Sequence, residues 1–131
     1  MRTFYQNKLW RDKAPQLMEA MGSIIHVQPL NDAEYAKQLK DKLIEEAQEI
    51  VAATNRQEII NECADVLEVL DAWYALHGIT TTEVIAVQEK KRAERGGFFE
   101  RQFVSIAQHE ADSFGEKYCL ASPEKYPEIT E

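Results

Sequence analysis

Apolar residues recur at every third or fourth position through the middle of the chain, which predicts two long helices over residues 33–54 and 56–77. Asn31 and Asn55 are suited to cap the two N-termini, and Gly78 is suited to end the second helix. The very short link between the helices requires them to pack antiparallel. The first apolar stripe comprises Tyr35, Leu39, Leu43, Ala47, Ile50 and Val51. The second comprises Ile59, Cys63, Val66, Leu67, Leu70, Trp73 and Tyr74.

Weaker patterns flank these helices. A short helix is predicted over 11–21 and a third long helix over 83–95. The segments 23–30 and 98–106 favour extended structure, so the sequence also allows a small two-stranded hairpin between them. Residues 107–131 are polar and predict an irregular tail with one or two helical turns. We therefore expect a single all-α domain over 1–131, an antiparallel helical bundle.

Composition limits the partners that the chain can take. Its 131 residues carry a formal net charge of −8, which argues against a nucleic-acid polymer or an anionic membrane. A nucleotide stays possible because a small anion needs only a local cationic pocket. There is no apolar run long enough for a membrane span and no signal-peptide pattern. Two widely separated cysteines predict no disulfide framework, with Cys63 a small core residue, and fit a reducing cytoplasm.

Two pairs of carboxylates lie on the long helices. Glu46 with Glu49, and Glu62 with Asp65, are each three residues apart and therefore adjacent on a helix surface. Both pairs border the apolar stripes. Carboxylates crowded beside apolar surface repel one another and lose hydration unless a cation compensates them. From the pattern alone, a metal site and a solvated acidic face are about equally supported.

An all-oxygen set of this kind suits Mg²⁺, or Mn²⁺ as the alternative. A di-iron bundle would need Glu-x-x-His motifs, and none of the three histidines has a Glu three residues before it. No zinc, P-loop or dinucleotide-binding pattern is present. A carboxylate-held ion suits phosphate-ester hydrolysis, with Glu49 as the proton acceptor. Glu45 is a catalytic candidate that orients other groups or holds a further ion, or else a surface residue.

The order Glu46-x-x-Glu49, twelve residues, Glu62-x-x-Asp65 resembles the metal-binding signature of the all-α nucleoside triphosphate pyrophosphohydrolases. These include MazG-like enzymes, phosphoribosyl-ATP pyrophosphohydrolase and dimeric dUTPases. The segments 5–13 and 91–98 resemble the MazG-like and phosphoribosyl-ATP pyrophosphohydrolase branch, although Trp10 departs from its usual aliphatic residue. The resemblance implies that all four carboxylates bind metal. It also implies phosphate-binding roles for Arg11, Lys13, Lys91 and Arg95.

The resemblance implies a MazG-like bundle that forms a homodimer or homotetramer. The function expected is Mg²⁺-dependent hydrolysis of a nucleoside triphosphate, or a related nucleotide, to the monophosphate and pyrophosphate. One alternative is phosphoribosyl-ATP pyrophosphohydrolysis in histidine biosynthesis. Another, of a different class, is a non-catalytic acidic helical module that binds a protein. Cations at the end of the third helix would stabilise that helix in any protein, so Lys91 and Arg95 do not decide between these functions.

Overall fold

A computed structural model describes residues 1–130, and its regular structure is entirely helical. The chain divides into two compact units, Met1–Glu94 and Arg95–Glu131. The helices are α1 (Ala14–Ala20), α2 (Asp32–Ala52), α3 (Arg56–Leu76), α4 (Thr81–Arg95) and α5 (Phe114–Leu120). The all-α class is therefore confirmed. Within the described residues, no helix combines the length and the apolar character that crossing a bilayer requires.

Helices α2 and α3 form an antiparallel hairpin that dominates the first unit. Their N-termini are capped as the sequence predicts: the side chain of Asn31 accepts a hydrogen bond from the Glu34 N–H, and that of Asn55 accepts one from the Glu58 N–H, both at 2.9 Å. Glu58 in turn accepts a bond from the Thr54 N–H at 2.9 Å. These bonds fix the start of α3 immediately after α2, so the two helices fold back on each other.

The core of the hairpin is small. Leu39 on α2 is 3% exposed and Val69 on α3 is 8% exposed, and they are the only buried apolar residues among those described. Both are equally distant along the chain from Thr54 in the turn, so they meet at the same level of the hairpin. Residues closer to the turn therefore also face one another across α2 and α3.

The structure corrects several of the predicted apolar positions. Cys63, predicted to be a core residue, is exposed, and so is Leu67 one turn further along. On α2, Val51 is 87% exposed. For Cys63 and Leu67 the reason is that α3 carries apolar residues around most of its circumference, while only one side of it contacts α2. A helical wheel cannot choose between two apolar sides, and packing selects the side that carries Val69.

The two-stranded hairpin does not form: the described residues contain no strand, and both 23–30 and 98–106 are irregular. Pro29 removes a backbone donor from the first segment. Arg101 has a left-handed backbone with φ 57°, which interrupts the second segment. An isolated two-stranded hairpin is at best marginally stable in water, so these interruptions are enough to prevent it.

Two short connections set the ends of α3 and α4. Gly78, with φ 65°, allows the chain to turn out of α3, and the Ile79 N–H bonds to the carbonyl oxygen of Tyr74 at 2.9 Å. Thr80 and Glu83 then form a reciprocal capping box at the start of α4, with bonds of 3.2 and 2.7 Å. The start of α4 is thus set by hydrogen bonds between neighbouring residues.

The second unit contains α5, which supplies the helical turns predicted within an otherwise irregular tail. The Ser113 hydroxyl caps α5 by accepting a bond from the Glu116 N–H at 3.3 Å. The Tyr118 ring lies between those of Phe114 and Tyr126, with centroid distances of 5.9 and 5.6 Å. The His109 ring occupies the space that a side chain at Gly115 would need. These aromatic contacts hold the unit together.

Asn55 gives a test of the hairpin turn. Asn55→Ala removes the acceptor at the start of α3 and should lower the free energy of unfolding by about 1 kcal/mol. Urea denaturation followed by circular dichroism measures this. Asn61→Ala, within the same helix, is the matched control. It removes only an exposed side-chain bond from Gln57, and the higher helix propensity of alanine offsets that loss, so the stability should be nearly unchanged. Equal effects of the two substitutions would show that the cap does not stabilise the turn.

Candidate metal centre

The hairpin brings all four predicted carboxylates into one cluster. Each of Glu46, Glu49, Glu62 and Asp65 offers one oxygen, and these oxygens lie within 4.8 Å of one another. Glu46 and Glu62 are equally distant from Thr54 along the chain, so the antiparallel pairing sets them at the same level. The partners three residues on, Glu49 and Asp65, then lie on the same side of each helix. We call this group the carboxylate cluster.

The centre of the cluster is withdrawn from water. Glu46 is the only buried charged residue among those described, at 5% exposure. The oxygens Glu46 Oε2 and Glu62 Oε2 are both buried and accept no hydrogen bond. A buried carboxylate oxygen without a partner is costly. The structure therefore concentrates unsatisfied negative charge at a point where the protein supplies no donor.

This crowding changes the protonation of the cluster. Protonated Glu62 can donate a hydrogen bond to the neighbouring Glu49 carboxylate, and this effect, followed by desolvation and by Glu46, raises the pKa of Glu62 from its ordinary 4.5 to about 7. Burial is the main cause that raises the pKa of Glu46, and Lys42 partly opposes it. Without a cation, the cluster therefore retains a proton near neutral pH.

Two cations contact the cluster at its edges, and a third lies beside it. On α2, the Lys42 ammonium lies 3.3 Å from Glu46 Oε1 and 3.5 Å from Glu45 Oε2. From the N-terminal segment, Arg11 Nη2 donates to Asp65 Oδ1 at 2.7 Å, and this bond is the main reason that the pKa of Arg11 is raised. Lys8 Nζ lies 3.4 Å from Glu45 Oε1. None of these cations contacts the unpartnered oxygens.

Glu45 lies outside the cluster. Its two oxygens face Lys8 and Lys42, so of the roles considered for it, the orienting one agrees with its contacts. Glu49 is the only exposed member of the cluster. It is therefore the member that water reaches most easily, as its predicted catalytic role requires.

The cluster has the chemistry of a divalent-cation site. Mg²⁺ binds carboxylate oxygens at about 2.1 Å, which places opposite ligands about 4.2 Å apart. The observed spread is only slightly larger. The two unpartnered oxygens are free to act as ligands, and all donors are hard oxygens, which Mg²⁺ and Mn²⁺ prefer. The residues present therefore fit a cation of this kind.

The other predicted phosphate ligands are placed differently. Lys13 precedes α1 and is exposed. Lys91 lines an open groove of about 500 Å³ along α4, together with Ile79, Val84 and Val87. This groove shares no lining residue with the carboxylate cluster. Arg95 is the first residue of the second unit. The structure joins only Arg11, among the four candidates, to the cluster.

Two lysines beside the cluster were not predicted. Lys42 lies three and four residues before Glu45 and Glu46 on one helix, and that spacing is a signal by which the sequence could have identified it. Lys8 pairs with Glu45 across 37 positions of sequence. No local pattern indicates a contact of that range, so only the folded structure reveals it.

An antiparallel helical hairpin that holds four converging carboxylates defines an all-α protein with a site of the kind found in metal-dependent phosphohydrolases. The family model described as phosphoribosyl-ATP pyrophosphohydrolase matches residues 14–92, and the chain belongs to that family, within the wider MazG-like superfamily. It is accordingly a nucleotide pyrophosphohydrolase. No curated protein and no solved structure matches the chain. The match spans both carboxylate pairs and Lys91, whereas Lys8, Arg11, Lys13 and Arg95 lie outside it.

The raised pKa of Glu62 predicts how stability depends on pH. The stabilisation from this group is fully present below its unfolded pKa of 4.5 and is lost as the pH rises through about 7. The melting temperature of the metal-free protein should therefore fall between about pH 5 and pH 8. Glu62→Gln, which is neutral throughout, should flatten that slope in differential scanning fluorimetry.

Glu89→Gln, on the exposed surface of α4, is the matched control and should keep the slope of the unsubstituted protein. Added Mg²⁺ should stabilise the unsubstituted protein more at the upper end of this range, because metal binding requires deprotonated ligands. A slope that is unchanged in Glu62→Gln would contradict the assignment of the shared proton to Glu62.

Proposed function

We propose that the chain hydrolyses a nucleoside triphosphate, or a related nucleotide, to the nucleoside monophosphate and pyrophosphate, with Mg²⁺ bound by Glu46, Glu49, Glu62 and Asp65. The observation that carries this proposal is the convergence of four carboxylates with two buried, unpartnered oxygens. Such an arrangement is unfavourable by itself and becomes favourable around a divalent cation. Mn²⁺ has the same ligand preference and is the alternative ion.

Each residue of the cluster then has a definite task. When bound, Mg²⁺ would neutralise charge on the phosphate oxygens and make water a better nucleophile. Glu46 and Glu62 supply the buried oxygens, so they anchor the site. Asp65 is held by Arg11 through Oδ1. That bond fixes the carboxylate and leaves its second oxygen for the ion.

Glu49 is the residue that we propose to accept the proton of the attacking water. It is the member of the cluster most open to solvent, so a water molecule can reach it. A carboxylate beside the reaction centre is a suitable general base when it lies within hydrogen-bond distance of the water. Glu45 does not contact the reacting atoms in this scheme and instead positions Lys8 and Lys42.

Attack at the α-phosphorus is favoured over attack at the γ-phosphorus. Enzymes that cleave the γ-phosphate commonly surround it with a glycine-rich loop. The paired glycines here, Gly96 and Gly97, follow the C-terminus of α4 and so cannot form an anion cradle at a helix N-terminus. Arg11 lies beside the cluster with most of its donors unused and is suited to hold a phosphate oxygen. Lys13, Lys91 and Arg95 remain further phosphate-binding proposals.

A second candidate substrate comes from the family match. The description of the family names phosphoribosyl-ATP as the compound that is hydrolysed, which favours that compound as the alternative to a nucleoside triphosphate. It contains the same triphosphate and would be cleaved by the same attack at the α-phosphorus.

We further propose that one catalytic domain spans the chain and that it works in a reducing cytoplasm, in agreement with its two free cysteines.

Isotope labelling tests the position of cleavage. With Mg²⁺, a panel of nucleoside triphosphates and phosphoribosyl-ATP should include a substrate that yields pyrophosphate and a nucleoside monophosphate. In ¹⁸O-labelled water, mass spectrometry should find the label in the monophosphate, because the water oxygen becomes bonded to the α-phosphorus. Orthophosphate with a nucleoside diphosphate, or label confined to pyrophosphate, would contradict attack at the α-phosphorus.

The same assay tests the metal ligands. Asp65→Asn keeps the shape of the side chain and removes its charge, so activity should fall by about 100-fold or more. Calorimetric titration with Mg²⁺ should show correspondingly weaker binding. Asp71→Asn on α3, which contacts Thr81 at the start of α4, is a matched control for the loss of one carboxylate. Full activity in Asp65→Asn would contradict its role as a ligand.

We also propose that the active form is a homodimer or homotetramer. The outer side of α3 exposes Ile59, Ile60, Cys63 and Leu67. These residues recur at helical spacing and form a continuous apolar stripe on the side that α2 leaves uncovered. A helix that is apolar on most sides is normally buried, and a second copy of the chain is a self-complementary way to bury it.

Light scattering combined with size-exclusion chromatography tests this association. A mass of at least twice 15.1 kDa is expected at micromolar concentration. Leu67→Lys should shift the protein toward the monomer, because it places a charge in the apolar stripe. Val27→Lys, at an exposed position between α1 and α2, is the control and should not change the mass. A monomeric unsubstituted protein would contradict the proposal.

A further inference from the structure

A polar cavity of about 220 Å³ lies between residues 7–9 and one face of α2. None of the four cluster residues lines it, but its lining residue Lys42 contacts Glu46 of the cluster at 3.3 Å. Its charged lining consists of Lys8, Lys37, Asp41, Lys42 and Glu45. We call it the lysine pocket. Because a water molecule occupies about 30 Å³ in the liquid, the pocket has room for one or two phosphoryl groups in place of water.

The pocket gathers ammonium groups beside the cluster. Its lining holds three lysines and two carboxylates, and Lys42 is also paired with Glu46 of the cluster. If a divalent ion neutralised the cluster, the three ammonium groups would exceed the two carboxylates of the lining by one. Each lysine has an ion pair at present: Lys37 with Asp41 at 3.0 Å, Lys8 with Glu45 at 3.4 Å and Lys42 with Glu46 at 3.3 Å. An ammonium has three donors. These pairs therefore leave donors free for a ligand, and pairs near the surface are weak enough to be shared.

Lys42 joins the pocket to the cluster. Its side chain is only 20% exposed, and its ammonium lies between Glu45, which lines the pocket, and Glu46, which belongs to the cluster. An anion in the lysine pocket therefore lies next to the carboxylates that would hold the cation. This arrangement suits a phosphate chain in which the ion binds one phosphoryl group and the lysine pocket binds the groups beyond it.

We propose that the lysine pocket binds the β- and γ-phosphates of the substrate and holds them as pyrophosphate after cleavage. This inference rests on the proposed function and adds a specific subsite to it. Lys8 precedes the part of the chain that matches the family, which begins at residue 14. It is contributed by the N-terminal segment, and Glu45 keeps Lys8 and Lys42 directed toward the same space.

The chemistry balances without a further reactant. A water oxygen forms a bond to the α-phosphorus, and the bond from that phosphorus to the bridging oxygen breaks. The bridging oxygen leaves with the electron pair as part of pyrophosphate, and the water proton passes to Glu49. Negative charge therefore develops on the leaving group, and Lys8 and Lys42 lie where they stabilise it.

Calorimetric titration with inorganic pyrophosphate in the presence of Mg²⁺ tests the pocket directly. Lys8→Gln should weaken pyrophosphate binding by about tenfold or more, as expected for loss of one charged hydrogen bond. Lys8→Arg should restore most of it. The affinity for Mg²⁺ alone should not change, because Lys8 contacts no residue of the cluster. Lys90→Gln, on α4, is the matched control for the loss of one positive charge and should bind pyrophosphate as the unsubstituted protein does.

A second variant shows whether weaker binding in Lys8→Gln is caused by loss of the charge or by a change in the position of the N-terminal segment. Lys42→Gln, from within α2, should also weaken pyrophosphate binding, and circular dichroism should show the helices intact in both variants. Equal affinity for pyrophosphate in Lys8→Gln, Lys42→Gln and Lys90→Gln would contradict pyrophosphate binding in the lysine pocket. Unchanged kinetics of substrate hydrolysis by Lys8→Gln would also contradict it, while the proposed hydrolysis itself would still hold. Lys8-dependent binding of pyrophosphate without hydrolysis of any nucleotide would support the pocket and overturn the proposed function.

Discussion

Mutual repulsion among four carboxylates at the closed end of a helical hairpin is the constraint on which the rest of this structure depends. The turn at Thr54 and its cap at Asn55 set α2 and α3 antiparallel, and the pairing that buries Leu39 against Val69 also places Glu46 opposite Glu62. Packing and repulsion are therefore coupled: the hairpin cannot close its core without crowding these acids. A divalent cation relieves the repulsion, and without one the cluster retains a proton on Glu62 near neutral pH.

The cations of the protein occupy the edge of this cluster and leave its centre open. Arg11 holds one oxygen of Asp65, and Lys42 reaches one oxygen of Glu46. The buried oxygens Glu46 Oε2 and Glu62 Oε2 accept no hydrogen bond from the protein. This division suits a site in which a metal ion supplies the central charge while side chains at the rim orient the ligands and bind phosphate. The family consists of nucleotide pyrophosphohydrolases that are in general metal-dependent, and the cluster offers carboxylate oxygens that could hold the ion.

The small core explains why a single copy leaves so much apolar surface exposed. Only one side of α3 contacts α2, and the opposite side carries the stripe that includes Cys63 and Leu67. Burial of that stripe by another copy would add apolar contact close to the carboxylate cluster, because Cys63 lies between Glu62 and Asp65 in sequence. Association and metal binding would then stabilise the same part of the hairpin, and each would favour the other through linkage.

The sequence by itself determined the two long helices, their caps and the pairing of Glu46 with Glu49 and of Glu62 with Asp65, because these features depend on neighbours within four residues. It also predicted that the four acids belong to one site, through a spacing that resembles a known family. Only the tertiary structure decided which side of α3 is buried, since apolar residues lie on both sides and helical periodicity cannot rank them. It alone placed Lys8 beside Glu45 and Arg11 beside Asp65, because contacts between residues far apart in sequence follow from packing and leave no local pattern.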